Sequence, residues 1–162
     1  MNLLQKWIPR STFFKLMSFY PPYLGAGIRV AHVAHDFRSI RVEMGLRFWN
    51  RNYVGTQFGG SLYSMVDPFF MLMAMENLGR GYIVWDKTST IRFKKPGTGL
   101  VYAEMRLEEG QLQEIRATVE REGKCHPTFL VQIFDREGIL IAEVDKVLSV
   151  RPKKKPTILS GA

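Results

Sequence analysis

The stretch of residues 61–78 constrains this chain most. A helix drawn through it carries Leu62, Met65, Val66, Phe69, Phe70, Leu72 and Met73 around its whole circumference, with no continuous polar face, so other structure must surround it. The stretch is too long for a strand. It is also unable to span a bilayer, because Asp67 and Glu76 interrupt it and leave only residues 68–75 free of charge between them. We therefore expect a buried helix, opened by Gly59-Gly60 and closed by Gly79 and Gly81. Pro68 removes an amide donor two turns in and crowds the carbonyl of Ser64, which predicts a kink there.

Sheet must supply the wrapping. Ile40, Val42, Met44, Leu46 and Phe48 alternate with Arg41, Glu43, Gly45 and Arg47, the period-two pattern of a strand with one buried face. Further strands are expected over residues 82–93, 99–107, 112–121, 128–135 and 139–150. Pro96-Gly97, Glu109-Gly110, Glu122-Gly123 and Glu137-Gly138 supply their turns. With no crossover helix in this series, it reads as an antiparallel meander. Residues 3–20 mix apolar and basic side chains at helical spacing, with Phe13, Phe14, Leu16 and Met17 placed to pack on the domain and Pro21-Pro22 to stop the helix. The expected class is α+β: an N-terminal helix, then a long central helix wrapped by one curved antiparallel sheet.

A chain of 162 residues, 46% hydrophobic and 23% charged, is long enough for one core and short for two. We divide it into a helical segment (1–20), one domain (21–150) and a basic tail (151–162). Cys125 is the only cysteine, which excludes an internal disulfide and a cysteine-based metal site. Gln5, Lys6, Pro9 and Arg10 break the N-terminus before any apolar stretch reaches signal-peptide length, so the expected location is the cytoplasm. The net charge of +8 suggests an anionic partner. Much of it sits in the tail at Arg151, Lys153, Lys154 and Lys155, between Pro152 and Pro156, where an extended solvated end is expected. Beyond charge there is no nucleic-acid-binding signature, no phosphate loop and no nucleophile elbow. His32, His35 and His126 are too dispersed for metal ligation, so neither a metal nor another cofactor is expected.

The chemistry concentrates in residues 52–67. Gly59 and Gly60 open a helix whose first amides have no internal acceptor and can hold an oxyanion. Asp67, on an otherwise apolar helix, would be poorly solvated. Two bland alternatives are that it bonds Ser64 or Tyr63, or that it precedes a helix beginning at Pro68. Asp86-Lys87 reads as a polar start to the next strand. Arg92, Lys94 and Lys95 suit either the phosphates of an anionic ligand or the guarding of a strand edge.

Asn52, Gly59, Gly60 and Asp67 stand at the spacings of the motif N-x-x-x-x-x-H-G-G followed seven residues on by an acid. In this the chain resembles the hot-dog thioesterases related to phenylacetyl-CoA thioesterase. Phrases such as Gly55-Thr56-Gln57-Phe58-Gly59-Gly60-Ser61-Leu62-Tyr63 and Asp67-Pro68 resemble a bacterial hot-dog family labelled tetrameric acyl-CoA thioesterase, over residues 21–150. The resemblance implies a hot-dog fold, an acyl-CoA ligand, and a homodimer or homotetramer whose subunits share a site. It implies that the Gly59 amide and Asn52 polarise the thioester carbonyl and that Asp67 is general base or nucleophile. Gly60, Phe58, Ser64, Arg92 and Lys94 would then contact substrate. Phe58 stands where the motif has histidine, and a phenyl ring donates no hydrogen bond. The second reading is therefore a non-catalytic protein that binds acyl-CoA or lipid.

Overall fold

The computed structural model describes residues 10–153. Helix α1 (Arg10–Leu16) runs into a 3-10 turn (Met17–Phe19), and helix α2 (Pro21–Ala26) follows. Pro21 does not end a helix, as expected, but begins one: at the first helical position its missing N–H is no loss. Phe14 is buried and Met17 packs against the core, whereas Leu16 is exposed. Residues 3–9, the Phe13 side chain and residues 154–162 of the tail lie outside the described residues.

Six strands form one antiparallel sheet: β1 (Ile28–Val33), β2 (Ser39–Met44), β3 (Tyr82–Phe93), β4 (Val101–Arg106), β5 (Thr128–Asp135) and β6 (Leu140–Pro152). Their order is β1-β2-β4-β5-β6-β3. The alternation beginning at Ile40 ends as a strand at Met44, and Phe48 beyond it is exposed. The expected meander is corrected in two places. Strand β3 does not turn back on β4 through Pro96-Gly97; it pairs only with β6 at the sheet's edge. The helices between β2 and β3 carry the chain to the far side of the sheet, so residues 94–100 must return it to the middle.

The second correction is residues 112–121, which are not a strand but the heart of helix α5 (Glu109–Glu122). Leu112, Ile115 and Val119 bury one helical stripe, and Glu108 and Gln111 form a reciprocal capping box. Gly123, at φ +74°, ends the helix in the left-handed region rather than turning a hairpin. At Glu137-Gly138 the expected β5–β6 hairpin is present, with Gly138 at φ +78°.

The apolar stretch breaks rather than kinks. Helix α3 (Gly59–Ser64) ends four residues before Pro68, and helix α4 (Phe69–Leu78) starts immediately after it. Between them the amides of Val66 and Asp67 both donate to Tyr63 O, in a turn that needs no donor from Pro68. Helix α4 buries Phe69, Phe70, Met73 and Ala74, with Phe70 stacked on Phe129 of β5 at 4.3 Å. From the sheet, Ile40, Val42 and Met44 of β2 join the same core. This is the hot-dog arrangement: a helical axis wrapped by a curved antiparallel sheet.

Asn50 pins the approach to this axis. Its Oδ1 accepts from Arg47 N at 2.6 Å, and its Nδ2 donates to Ala26 O and Gly45 O, each at 2.8 Å. Asn50→Ala leaves three partly buried backbone groups to find other partners. It is expected to destabilise the protein by about 1–3 kcal/mol, read as a fall in Tm of several degrees by circular dichroism.

Candidate active site

From Ala142 to Val150 strand β6 alternates, with Ala142, Val144, Leu148 and Val150 buried, and Lys146 occupies one of these inward positions at 1% exposure. A buried ammonium must be paired. Its Nζ lies 2.6 Å from Asp67 Oδ1 and 3.0 Å from Asp86 Oδ1, and donates to the Tyr63 hydroxyl at 3.3 Å. The Tyr63 hydroxyl itself donates to Asp67 Oδ1 at 2.5 Å and stands 3.1 Å from Ser89 Oγ.

A bulge in β3 assembles this cluster. Residues three apart on a regular strand face opposite sides, yet Asp86 is opposite Leu148 and Ser89 is opposite Lys146, both inward residues. The register shift between Asp86 and Thr88 inserts one extra residue and brings both side chains to the inner face. Asp86 is therefore more than a polar strand start, as its sequence context suggested: it is half of a carboxylate pair around a buried lysine.

The electrostatics follow from the geometry. Burial pulls the Lys146 ammonium down, but its bonds to Asp67 and Asp86 outweigh that, and its pKa ends above the ordinary lysine value. Burial pushes the Asp86 carboxyl above the usual carboxylate range, against the opposing pull of Lys146. Asp67 is not poorly solvated, as the apolar surroundings suggested; its side chain is 41% exposed because the helix break lifts it out of the core. Its Oδ1 takes both hydrogen bonds, and its Oδ2 has no partner among the described residues.

A second feature shares no residue with this cluster. A cleft of about 410 Å³ is lined by Asn52, Gln57, Gly59, Phe93, Lys94 and Lys95, among others. The Gly59 and Gly60 amides precede the first helical bonds, which run from Ser61 N and Leu62 N to Phe58 O. Both glycines lie under aromatic rings. A Cβ on Gly59 would meet the Phe93 ring at 2.9 Å, and one on Gly60 the Phe58 ring at 2.5 Å. Asn52 is engaged in its own loop: Nδ2 donates to Thr56 Oγ1 at 2.9 Å and Gln57 O at 3.3 Å, while Oδ1 accepts from the amides of Val54 and Thr56. Ser64 Oγ donates to Gly60 O. Arg92 pairs with Asp145 and Lys94 with Glu143, both across on β6, leaving Lys95 as the cleft cation with no ion pair among the described residues.

Of the residues singled out in the sequence, the cleft gathers Asn52, Gly59, Lys94 and Lys95, while Asp67 stands in the lysine cluster. Lys146 escaped the sequence reading. Its signal is its place in the alternation of β6, where a charged residue takes the phase of Val144 and Leu148.

The fold is a hot-dog fold. The chain belongs to the family described as domain of unknown function DUF4442, which matches residues 10–150. Among solved structures it is similar to PA5026 from Pseudomonas aeruginosa, described as a protein of unknown function and probable thioesterase. The two are 19% identical with a TM-score of 0.79, over 90% of this chain and 97% of that one. It is also similar to the thioesterase HI1161 from Haemophilus influenzae, at 14% identity and TM-score 0.66 over 91% of this chain and 94% of that one. A third similar structure is OLEI01261 from Chlorobaculum tepidum TLS, of unknown function. It is 16% identical with a TM-score of 0.69, over 89% of this chain and 95% of that one. Comparison with curated proteins gives no match. No helix among the described residues is long and apolar enough to cross a membrane.

Proposed function

We propose that this protein is an acyl-CoA thioesterase working as a homodimer or as a dimer of dimers. The observation that carries the reading is Asp67: a carboxylate with one oxygen fixed by Lys146 and Tyr63 and the other free, in a side chain 41% open to solvent, within a thioesterase-like fold. Asp67 Oδ2 takes a proton from water as the water oxygen bonds to the thioester carbonyl carbon. The tetrahedral oxyanion is held by the Gly59 amide, and the C–S bond then breaks, the leaving sulfur taking the proton back from Asp67, so that the acid and the thiol are released. In the nucleophilic variant of the same scheme, Asp67 attacks the carbonyl, the C–S bond breaks to expel the thiolate, and water hydrolyses the resulting anhydride to free the acid and Asp67. Asn52 reaches the oxyanion by giving up the longer of its two donor bonds, the one to Gln57 O. Phe58, Gly60 and Ser64 shape the approach, and Lys94 and Lys95 with Arg92 face the phosphates of coenzyme A.

The dimer explains why Asp67 and Gly59 are apart in one protomer. Strand β3 carries Asp86 in its first half and, at its last residue, Phe93, whose ring covers Gly59. At about 3.3 Å per residue these positions lie roughly 23 Å apart along one strand. Two copies of β3 paired antiparallel bring the Asp86 end of one toward the Phe93 end of the other, so that a thioester in the partner's cleft meets this protomer's Asp67.

The second reading, an acyl-CoA or lipid binder without turnover, is favoured by Phe58 alone, which supplies no hydrogen bond where the resembled motif has histidine. Thiol release from short, long and aromatic acyl-CoA esters separates the two. Turnover on any of them supports the thioesterase and gives its acyl class. Saturable binding with no thiol release favours the binder, and absence of both removes acyl-CoA from either reading.

A further inference from the structure

We propose that Lys146 is the positioning residue of this site: by binding one oxygen from each of Asp67 and Asp86, it turns the second oxygen of Asp67 outward as the reacting base. The inference rests on the thioesterase reading of Asp67.

Fold stability does not explain this lysine. At 1% exposure, between Val144 and Leu148, an apolar side chain of similar length would fill the position without having to desolvate an ammonium. What the ammonium adds is direction. It binds Oδ1 of Asp67 at 2.6 Å and Oδ1 of Asp86 at 3.0 Å, with the Tyr63 oxygen as its third contact at 3.3 Å. Asp67 sits in the turn between α3 and α4, Asp86 on β3 and Lys146 on β6, so the ammonium ties the turn to two strands. The charge balance also suits a base. One ammonium among two carboxylates leaves one negative charge uncompensated, available to take a proton. The titratable groups facing Asp67 are Tyr63, Tyr23, Asp86 and Lys146. Tyr23 is held protonated, first by burial and then by the charge of Asp67, and so adds no competing charge.

Lys146→Met tests the assignment, beside the native protein and Asp67→Asn, with an acyl-CoA ester that the native protein hydrolyses. Removing the ammonium frees Asp67 to rotate and leaves two facing carboxylates, which then ionise as a repelling pair. The expected result is a fall in kcat of at least about tenfold with KM within about threefold. The acid limb of the pH–rate profile should move to higher pH, and Tm should fall by a few degrees at most, because the Asp67 and Asp86 side chains left behind are 41% and 30% exposed. If Lys146→Met does not fold, Asp86→Ala removes one anchor while keeping the lysine, and a several-fold fall in kcat is expected. Unchanged kcat and an unmoved acid limb in the folded variant would overturn the role of Lys146 while leaving that of Asp67 standing. Full turnover by Asp67→Asn, or none by the native protein, would overturn the thioesterase reading and this inference with it.

Discussion

Asp67→Asn is expected to lower kcat for thiol release by about 10²- to 10⁴-fold, the usual contribution of a positioned general base, while KM changes little. Asparagine keeps the shape of the side chain, and its Oδ1 can still accept from Lys146 Nζ and the Tyr63 hydroxyl, the two bonds that fix Asp67. What it loses is the ability to take a proton at the outward position. The fold should not suffer. The Asp67 side chain is 41% exposed, so solvent screens its pairing with Lys146 and the lost charge contributes little to stability. Asp86 remains to compensate the buried ammonium. A thiol-reactive dye reads the turnover, and a thermal melt followed by circular dichroism checks that the variant is folded. A pre-steady-state burst of thiol in the native protein would assign Asp67 as nucleophile, and its absence, with the same loss in the variant, as base. Native-like kcat in the folded variant would falsify both roles.

The parts of the fold and site that could be read in the sequence are those where one physical signal dominates. The alternation at residues 40–44 has a single period, and Pro68 can do only a few things inside an apolar stretch. In the β5–β6 hairpin, Gly138 adopts a left-handed backbone that favours glycine. Where two periods coincide, the sequence is ambiguous. Ile115, Ala117 and Val119 alternate as a strand would, while Leu112, Ile115 and Val119 repeat as a helix would; the capping box at Glu108 and Gln111 decides for the helix. Strand β1 hides for a related reason. Its register shifts between Val30 and His32, so the buried residues Ile28, Val30 and Val33 keep no single period. The lysine cluster was legible in part. Asp67 stood out because it interrupts an apolar helix, but its partners come from β3 and β6, and only the sheet order, with β3 beside β6, makes them neighbours. Nothing local to Asp86 announces that a bulge turns it inward.

If the proposed dimer forms through β3, Trp85→Glu should leave monomers and lower thiol release by at least about tenfold, although it touches neither Asp67 nor Gly59. Strand β3 spans Tyr82–Phe93 and among the described residues has a neighbour on one side only, so its other side offers a row of unpaired amides and carbonyls. Trp85, opposite Ser149 on the outer face, and Phe93, opposite Ala142 on the inner face, are 64% and 58% exposed, so both faces of this edge carry an apolar ring that a second copy can cover. A carboxylate in place of the indole must be desolvated each time two edges meet, a cost that the monomer does not incur. Monomer stability should therefore stay close to native, because Trp85 is not part of the core. Light scattering at micromolar concentration reads the mass, and the thiol assay reads the site. If Asp67 of one protomer serves the Gly59 cleft of the other, activity and assembly fall together, and raising the protein concentration restores both by mass action. A fully active monomer would mean that one protomer carries a complete site, and an intact oligomer of Trp85→Glu would move the interface away from β3.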